Sequence, residues 1–77
     1  MIKVDSFAEV CKTKEECYVK GEIATEYFIN YGIRHNVNGP AVLYNSGFKS
    51  YYIYGKLIGT NLTEEEFQSK IKEFVFG

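Results

Sequence analysis

The middle of the chain alternates short aromatic and aliphatic runs with turn residues, and this pattern limits the fold more than any other feature. Three runs rich in Tyr, Phe, Ile and Val, residue types that favour a pleated surface, lie at 26–30, 41–44 and 48–54. The loop Asn45-Ser46-Gly47 is short enough to force the second and third runs into an antiparallel hairpin. Residues 22–59 therefore predict a small antiparallel meander sheet of three strands or slightly more.

The last part of the chain, 62–76, predicts a helix that packs on this sheet. Thr63 and Glu66 have the spacing of a capping box, and Leu62 can pack on Phe67 across the first turn. The apolar face of this helix consists of Phe67, Ile71, Phe74 and Val75. Because so short a helix is marginal alone in water, the sheet has to cover that face.

Residues 5–21 predict either one helix or a pair of short helices. Ser6 and Glu9 form one capping-box pattern, and Thr13 and Glu16 form a second. Apolar or partly apolar residues recur at helical spacing, at Phe7, Val10, Cys11, Cys17 and Tyr18. The sequence thus predicts one α+β domain over residues 1–77.

Charge and length exclude several classes of function. The net charge of −1 gives no global positive field for a polyanion. Only Arg34, Lys49 and Lys56 lie in the predicted sheet, so nucleic acid is a disfavoured partner. Asp5 stands where a signal peptide needs an apolar run, and no stretch of about 18 apolar residues occurs, so we expect a cytoplasmic protein without a membrane segment. A core of this size gives a net folding stability of roughly 3–5 kcal/mol, so self-association remains an open alternative.

The sequence contains neither a metal-ligand set nor a disulfide pattern. Two Cys and one His do not make the four-ligand set of a structural zinc. On a single helix Cys11 and Cys17 would point roughly 240° apart, so we expect two free thiols. No metal and no cofactor are therefore predicted.

The single histidine, His35, has a functional and a structural interpretation. It could act as a general base helped by Arg34 or Asp5. Alternatively, its ring hydrogen-bonds the backbone of the loop 36–39 and holds the turn before Pro40. We favour the structural role, because neither a nucleophile nor an orienting carboxylate stands at a recognisable spacing. The sequence predicts that the protein is not an enzyme.

Two segments resemble each other at an offset of 24 residues, from Tyr27 to Tyr51. Both have an aromatic, aliphatic, glycine order, with one residue inserted in the first copy, and 18–23 is a fainter third copy. Offsets of this size indicate stacked supersecondary units.

The segments 32–42 and 51–57 resemble a tandem β-hairpin repeat of small phage proteins and large-virus proteins, in which an aromatic strand precedes Gly-Lys-x-His-Arg-x-Asp-Gly-Pro-Ala. The matching residues are Gly32, His35, Gly39, Pro40 and Ala41. Asn36 replaces the usual Arg and Asn38 the usual Asp, while the second copy has Ile58 in place of the His. The resemblance covers about half of the chain and implies a viral hairpin repeat without assigned chemistry. We predict a structural turn motif made of Gly32, His35, Asn38, Gly39 and Pro40.

Seven Tyr and six Phe are more aromatic side chains than so small a core can bury. These rings either pair across strands and steady the sheet or form a binding face, since Tyr is favoured at protein interfaces. The predicted face consists of Tyr44, Tyr52 and Tyr54 with Arg34 and Lys49; the alternative face consists of Tyr27, Tyr31 and Tyr51.

Three functions are compatible with this sequence. The leading one is a non-enzymatic interaction protein, a phage accessory product that binds a host protein of defence or metabolism and inhibits or redirects it in the host cytoplasm. The second is an oligomeric sponge that sequesters a nucleotide signal, with Tyr rings for stacking and Arg34, Lys49 or Lys56 for phosphates. The third is single-stranded nucleic-acid binding on the aromatic strands.

Overall fold

The computed structural model describes the backbone of residues 1–76 and the side chains of residues 1–74. In chain order its elements are strand β1 (Ile2–Val4), helix α1 (Phe7–Val10), strands β2 (Cys17–Lys20), β3 (Ala24–Ile29), β4 (Ile33–Arg34), β5 (Val42–Tyr44), β6 (Lys49–Ile53) and β7 (Lys56–Thr60), and helix α2 (Glu64–Phe76). The predicted α+β class is confirmed. The sheet has seven strands rather than three.

The strands form one sheet in the order β1-β2-β3-β5-β6-β7, and β4 pairs with β3 outside that path. β1 runs parallel to β2, and the other pairs are antiparallel. The predicted hairpin of β5 and β6 is confirmed, with Leu43 opposite Lys49. β4 and β5 lie end to end along β3, because Tyr27 accepts from the N–H of His35 and donates to the carbonyl of Ala41.

The prediction of a helical segment over 5–21 was wrong beyond Val10. Cys17–Lys20 form β2, which pairs with β3 and places Cys17 opposite Phe28. At the second predicted capping box, the Thr13 hydroxyl accepts from the N–H of Glu15, a local turn that competes with a helix. The apolar residues that predicted one helical stripe are therefore divided between helix α1, which contains Phe7 and Val10, and strand β2, which contains Cys17 and Tyr18.

The cap of α1 also differs from the predicted one. The side chain of Ser6 makes no capping hydrogen bond, and the carboxylate of Glu9 accepts from the N–H of Asp5 instead. Cys11, just after α1, is exposed, whereas Cys17 is buried, and both are free thiols. The two cysteines therefore do not share a helix, and Cys17 lies in β2.

The internal copies correspond to strands followed by turns. In the first, Ile29 pairs with Ile33 across the loop Asn30-Tyr31-Gly32; in the second, Ile53 pairs with Lys56 across Tyr54-Gly55. The residue inserted in the first copy thus lies in its turn. The faint third copy turns from β2 into β3, where Gly21 donates to the carbonyl of Ala24.

The sheet has two differently covered faces. Register and strand alternation place Cys17, Glu26, Phe28, Val42, Ser50 and Tyr52 on one face, called face A, and Tyr18, Thr25, Tyr27, Leu43, Lys49 and Tyr51 on the other, called face B. One core consists of Val10, Cys17 and Phe28, and the other of Tyr51, Ile53 and Phe67. Helix α1 therefore covers face A at β2 and β3, whereas α2 covers face B at β6 and β7.

Helix α2 begins as its start signals predict. The N–H of Thr63 donates to Oε1 of Glu66, and the N–H of Glu66 donates to Oγ1 of Thr63. Leu62 packs against the cluster that Phe67 forms with Tyr51 and Ile53. Ile71 packs there as well, Phe74 is exposed, and the side chain of Val75 lies outside the described residues. Within residues 1–76, neither helix has the length and apolar character that a bilayer crossing requires.

Candidate functional site

An open groove on face A lies between α1 and the turns of the two hairpin copies. Its volume is about 590 Å³, and its lining residues are Phe7, Glu26, Phe28, Gly32, Ile33, Arg34 and Gly55. Phe28 is buried, with the Phe7 ring packed edge-on against it at 5.3 Å between centroids. Phe7 is 53% exposed and Ile33 39% exposed, so two of the apolar lining residues are open to water.

Two turn glycines shape the wall of this groove. Gly32 has φ +111°, and a Cβ there would lie 3.3 Å from Cζ of Phe7. Gly55 has φ +82°, and a Cβ there would lie 3.2 Å from Cγ2 of Ile33. Glycine adopts positive φ readily and allows this close approach. The Tyr-Gly turns of the repeat thus bring both hairpin ends to one place.

Arg34 stands at the edge of the groove between an acid and an aromatic ring. Its Nη2 lies 3.4 Å from Oε2 of Glu26, and its guanidinium carbon lies 5.5 Å from the centroid of the Tyr52 ring. Because both charged side chains are partly exposed, the ion pair contributes about 0–1 kcal/mol to stability. The arrangement holds the guanidinium over Tyr52 at the edge of the groove.

His35 is buried, with 3% of its surface exposed. Its Nδ1 accepts a hydrogen bond of 3.0 Å from the backbone N–H of Tyr54, and the two rings lie 4.2 Å apart. Burial lowers the pKa of His35 from its ordinary value, and the Glu16 carboxylate acts weakly in the opposite direction. The neutral imidazole that accepts this bond is therefore favoured.

The predicted hydrogen-bond partner of His35 was wrong. The loop 36–40 is held by Asn36, whose Nδ2 donates to the Pro40 carbonyl at 3.0 Å and whose Oδ1 accepts from the Asn38 N–H at 3.0 Å. His35 instead lies next to Tyr27 on face B and reaches the second hairpin copy. Asn36 thus performs the task that the sequence assigned to His35.

The residues of the predicted binding face lie at different places on the protein. Tyr52 and Arg34 lie together on face A, whereas Lys49 lies on face B. Tyr44 contacts Phe48 at 5.8 Å, at the far end of the same hairpin, and Tyr54 stacks on His35 in a turn. Of these five residues only Arg34 lines the groove, and Tyr52 lies next to its guanidinium.

One residue of the alternative aromatic face, Tyr51, is buried. Tyr51 is 4% exposed, because α2 covers it with the Phe67 ring at 4.8 Å, and its hydroxyl donates to the Leu62 carbonyl. The assignment of Tyr51 to an exposed face was therefore wrong. Tyr31 is exposed in the first hairpin turn, and Tyr27 lies half-buried beside Tyr18.

The three cations predicted to hold phosphates do not converge. Arg34 belongs to face A and Lys49 to face B, while Nζ of Lys56 lies 5.9 Å from the ring of Phe74 on α2. Among residues 1–76, no group of three or more His, Cys, Asp or Glu side chains is placed to hold a metal ion.

The sequence gives no match to protein-family models, to curated proteins or to solved structures.

Sequence reasoning missed the two apolar residues that flank the groove. Phe7 was assigned to the helical stripe, and Ile33 was placed within the repeat without a role of its own. The two Tyr-Gly turns could have indicated where the groove lies, because two hairpins of similar length in one meander have their turns at the same end of the sheet. The contact of Phe7 with that end depends on how α1 packs, which no local pattern shows.

Proposed function

We propose that this chain is a small, non-enzymatic interaction protein that binds another protein through the groove on face A. The observation that carries the proposal is the open apolar groove with the Arg34–Tyr52 pair at its edge. Protein interfaces are enriched in aromatic residues and Arg and depleted in Lys, and no lysine lines this groove. An apolar side chain of the partner would enter between Phe7 and Ile33.

The chemistry of the groove suits a protein better than a polyanion. Its one cation, Arg34, is paired with Glu26, so the groove offers little net charge to a phosphate. A standard interface buries about 800 Å² on each partner. Contacts of that size would extend from the groove across face A towards Tyr44, which is itself exposed.

Support for a non-enzymatic role comes from the state of His35. The Nδ1 lone pair that a general base would use is occupied by the N–H of Tyr54. The ring is buried and serves as a connector between the two hairpins. A protein of this kind acts by occupying a surface of its partner.

The proposed biological role follows from the resemblance of residues 32–42 and 51–57 to the hairpin repeat of phage and large-virus proteins. On that basis the partner is a host protein of defence or metabolism, which the protein inhibits or redirects in the host cytoplasm.

The experiment compares capture of host proteins by tagged wild type and by two paired variants. Phe7→Ala with Ile33→Ala shortens both flanking side chains of the groove. Ile23→Ala with Val37→Ala shortens two side chains that are 73% and 42% exposed and lie outside it. We expect one host protein to be captured by wild type and by the control, and its affinity for the groove variant to fall at least about fivefold.

Folding of all variants is checked by circular dichroism and thermal melting before affinities are compared. Equal affinity of the purified partner for the groove and control variants would refute the groove as its binding site. Capture of no host protein by wild type would contradict the proposed role as a whole.

A further inference from the structure

Face B carries a cross-strand row of aromatic residues that begins with a lysine. Lys3 pairs with Tyr18 across β1 and β2, and Tyr18 pairs with Tyr27 across β2 and β3. The two Tyr rings lie 5.4 Å apart with planes tilted by 31°, and both are half-buried. His35 follows Tyr27 in the same row. Since α1 lies on face A and α2 lies over β6 and β7, neither helix covers this row.

A second row on face B ends in a lysine on each side. Lys20 pairs with Thr25, Thr25 with Leu43, and Leu43 with Lys49. Lys20 and Lys49 are three strand spacings apart, about 14 Å. Both lysines are exposed, as is Lys3 in the neighbouring row. Lys3 and Lys20 thus lie next to Tyr18, and Lys49 lies on the same face two strands beyond the strand of Tyr27.

The charge of this surface differs in sign from that of the whole chain. Within residues 1–76, none of the three lysines lies within 4.0 Å of a carboxylate. The strand positions assigned to face B contain no acid. Acids do stand at the margins of this surface: Asp5 immediately follows β1, Glu16 immediately precedes β2, and Glu64 lines a shallow cleft with Lys49. Face B from β1 to β5, together with Lys49 at the start of β6, is therefore a cationic aromatic surface.

The structure changes one of the two observations on which the sequence disfavoured nucleic acid, while the other, the net charge of −1, is unchanged. Arg34, Lys49 and Lys56 were the cations of the predicted sheet, since Lys20 belonged to the predicted helical segment 5–21 and Lys3 preceded it. With β1 and β2 in the sheet, Lys3 and Lys20 join Lys49 on one face.

We propose that face B binds single-stranded nucleic acid, with bases stacking on Tyr18 and Tyr27 and phosphates contacting Lys3, Lys20 and Lys49. Aromatic rings on a sheet offer stacking surface to any unpaired base, and flanking cations follow the backbone. A duplex keeps its bases stacked inside and could not use the two rings. This site is separate from the groove on face A and does not depend on the protein partner proposed there.

The test measures fluorescence anisotropy of a labelled oligothymidylate of about 12 nucleotides, a length within the range of single-strand platforms. Tyr18→Leu with Tyr27→Leu keeps apolar area in the strands but removes the rings, and we expect binding to weaken at least about fivefold. Lys20→Gln with Lys49→Gln should weaken binding and reduce the slope of log affinity against log salt by about 1.4, since each lost phosphate contact removes about 0.7.

The matched control is Lys70→Gln with Lys72→Gln, which removes the same charge from exposed positions on α2 and should leave affinity within about twofold of wild type. Circular dichroism confirms that each variant is folded. Absence of saturable binding by wild type at low salt would overturn the proposal, as would equal weakening by the control. Unchanged affinity after the Tyr substitutions would exclude stacking and overturn it. Competition by polyglutamate as strong as by unlabelled oligothymidylate would instead assign face B to an acidic protein.

Discussion

The backbone N–H of Tyr54 donates to Nδ1 of His35 at 3.0 Å, so one buried imidazole joins the two hairpin copies of the repeat. The bond spans 19 residues of sequence and is accompanied by contact between the two rings. Protonation of Nδ1 would turn the acceptor into a second donor facing the Tyr54 N–H. The joint between the copies is therefore sensitive to pH.

We predict that acid weakens the fold through His35. Because the folded-state pKa lies below the ordinary value of 6.5, the folded chain binds fewer protons than the unfolded chain as pH falls. The free energy of unfolding should be unaffected by this group above about pH 6.5, and it should fall as pH drops below that value until the folded-state pKa is passed. Urea unfolding at a series of pH values measures the effect.

The control for this prediction is His35→Asn, which keeps a hydrogen-bond acceptor near the Nδ1 position but does not titrate. It should be less stable overall and should lose the decline below about pH 6.5. The lowered pKa of Glu66, caused by its hydrogen bonds with Thr63, produces a separate decline only at the lower pH where carboxylates titrate. A wild-type stability that is flat from about pH 7.5 to 5 would contradict the prediction.

Thr63→Ala should destabilise the protein by about 1 kcal/mol, because it removes the hydroxyl that accepts from the N–H of Glu66. Ser69→Ala, an exposed position inside the same helix, serves as the control and should change stability by less than about 0.5 kcal/mol. Equilibrium urea unfolding measures both. Equal effects of the two substitutions would show that the cap does not stabilise α2.

Tyr51→Phe should cost about 1 kcal/mol, because the buried ring keeps its contact with Phe67 while the Leu62 carbonyl loses its donor. Tyr44→Phe removes a hydroxyl from an exposed ring and should be neutral within about 0.5 kcal/mol. Thermal melting distinguishes the two variants. A Tyr51→Phe protein as stable as wild type would mean that water replaces the lost donor at no cost.

Gly32→Ala should cost more than Gly47→Ala. Both glycines have positive φ, so alanine at either position costs about 1 kcal/mol in backbone strain. A Cβ at Gly47 meets nothing within 4 Å, whereas at Gly32 it presses on Phe7. Urea unfolding should show the larger loss for Gly32→Ala, and equal losses would mean that Phe7 moves aside freely.

The elements that the sequence predicted correctly are those specified by neighbouring residues. Helix α2 begins where Thr63, Glu66 and Leu62 place its start, and the β5–β6 hairpin follows from its short loop. The first part of the chain could not be predicted in this way. Cys17–Lys20 become a strand because Phe28 and its neighbours in β3 offer an antiparallel partner, and β1 pairs in parallel with a segment beyond α1.

The same distinction applies to the sites. The sequence identified Arg34 and Tyr52, yet it placed Lys49 and Tyr44 with them, although register puts Lys49 on the opposite face and Tyr44 at the other end of the hairpin. The groove requires α1 to bring Phe7 next to Gly32 in the first hairpin turn, and face B requires β1 and β2 to join the sheet. Both depend on pairing between distant segments, which a single sequence does not specify.

Helices α1 and α2 lie on opposite faces of one sheet, so the protein has two separate hydrophobic cores with the sheet between them. Detachment of α2 would expose Tyr51 and Ile53 to water, whereas Val10, Cys17 and Phe28 would stay buried on the other face. Each side can therefore acquire or lose an exposed surface without repacking the other, which lets so short a chain present two chemically distinct surfaces at once.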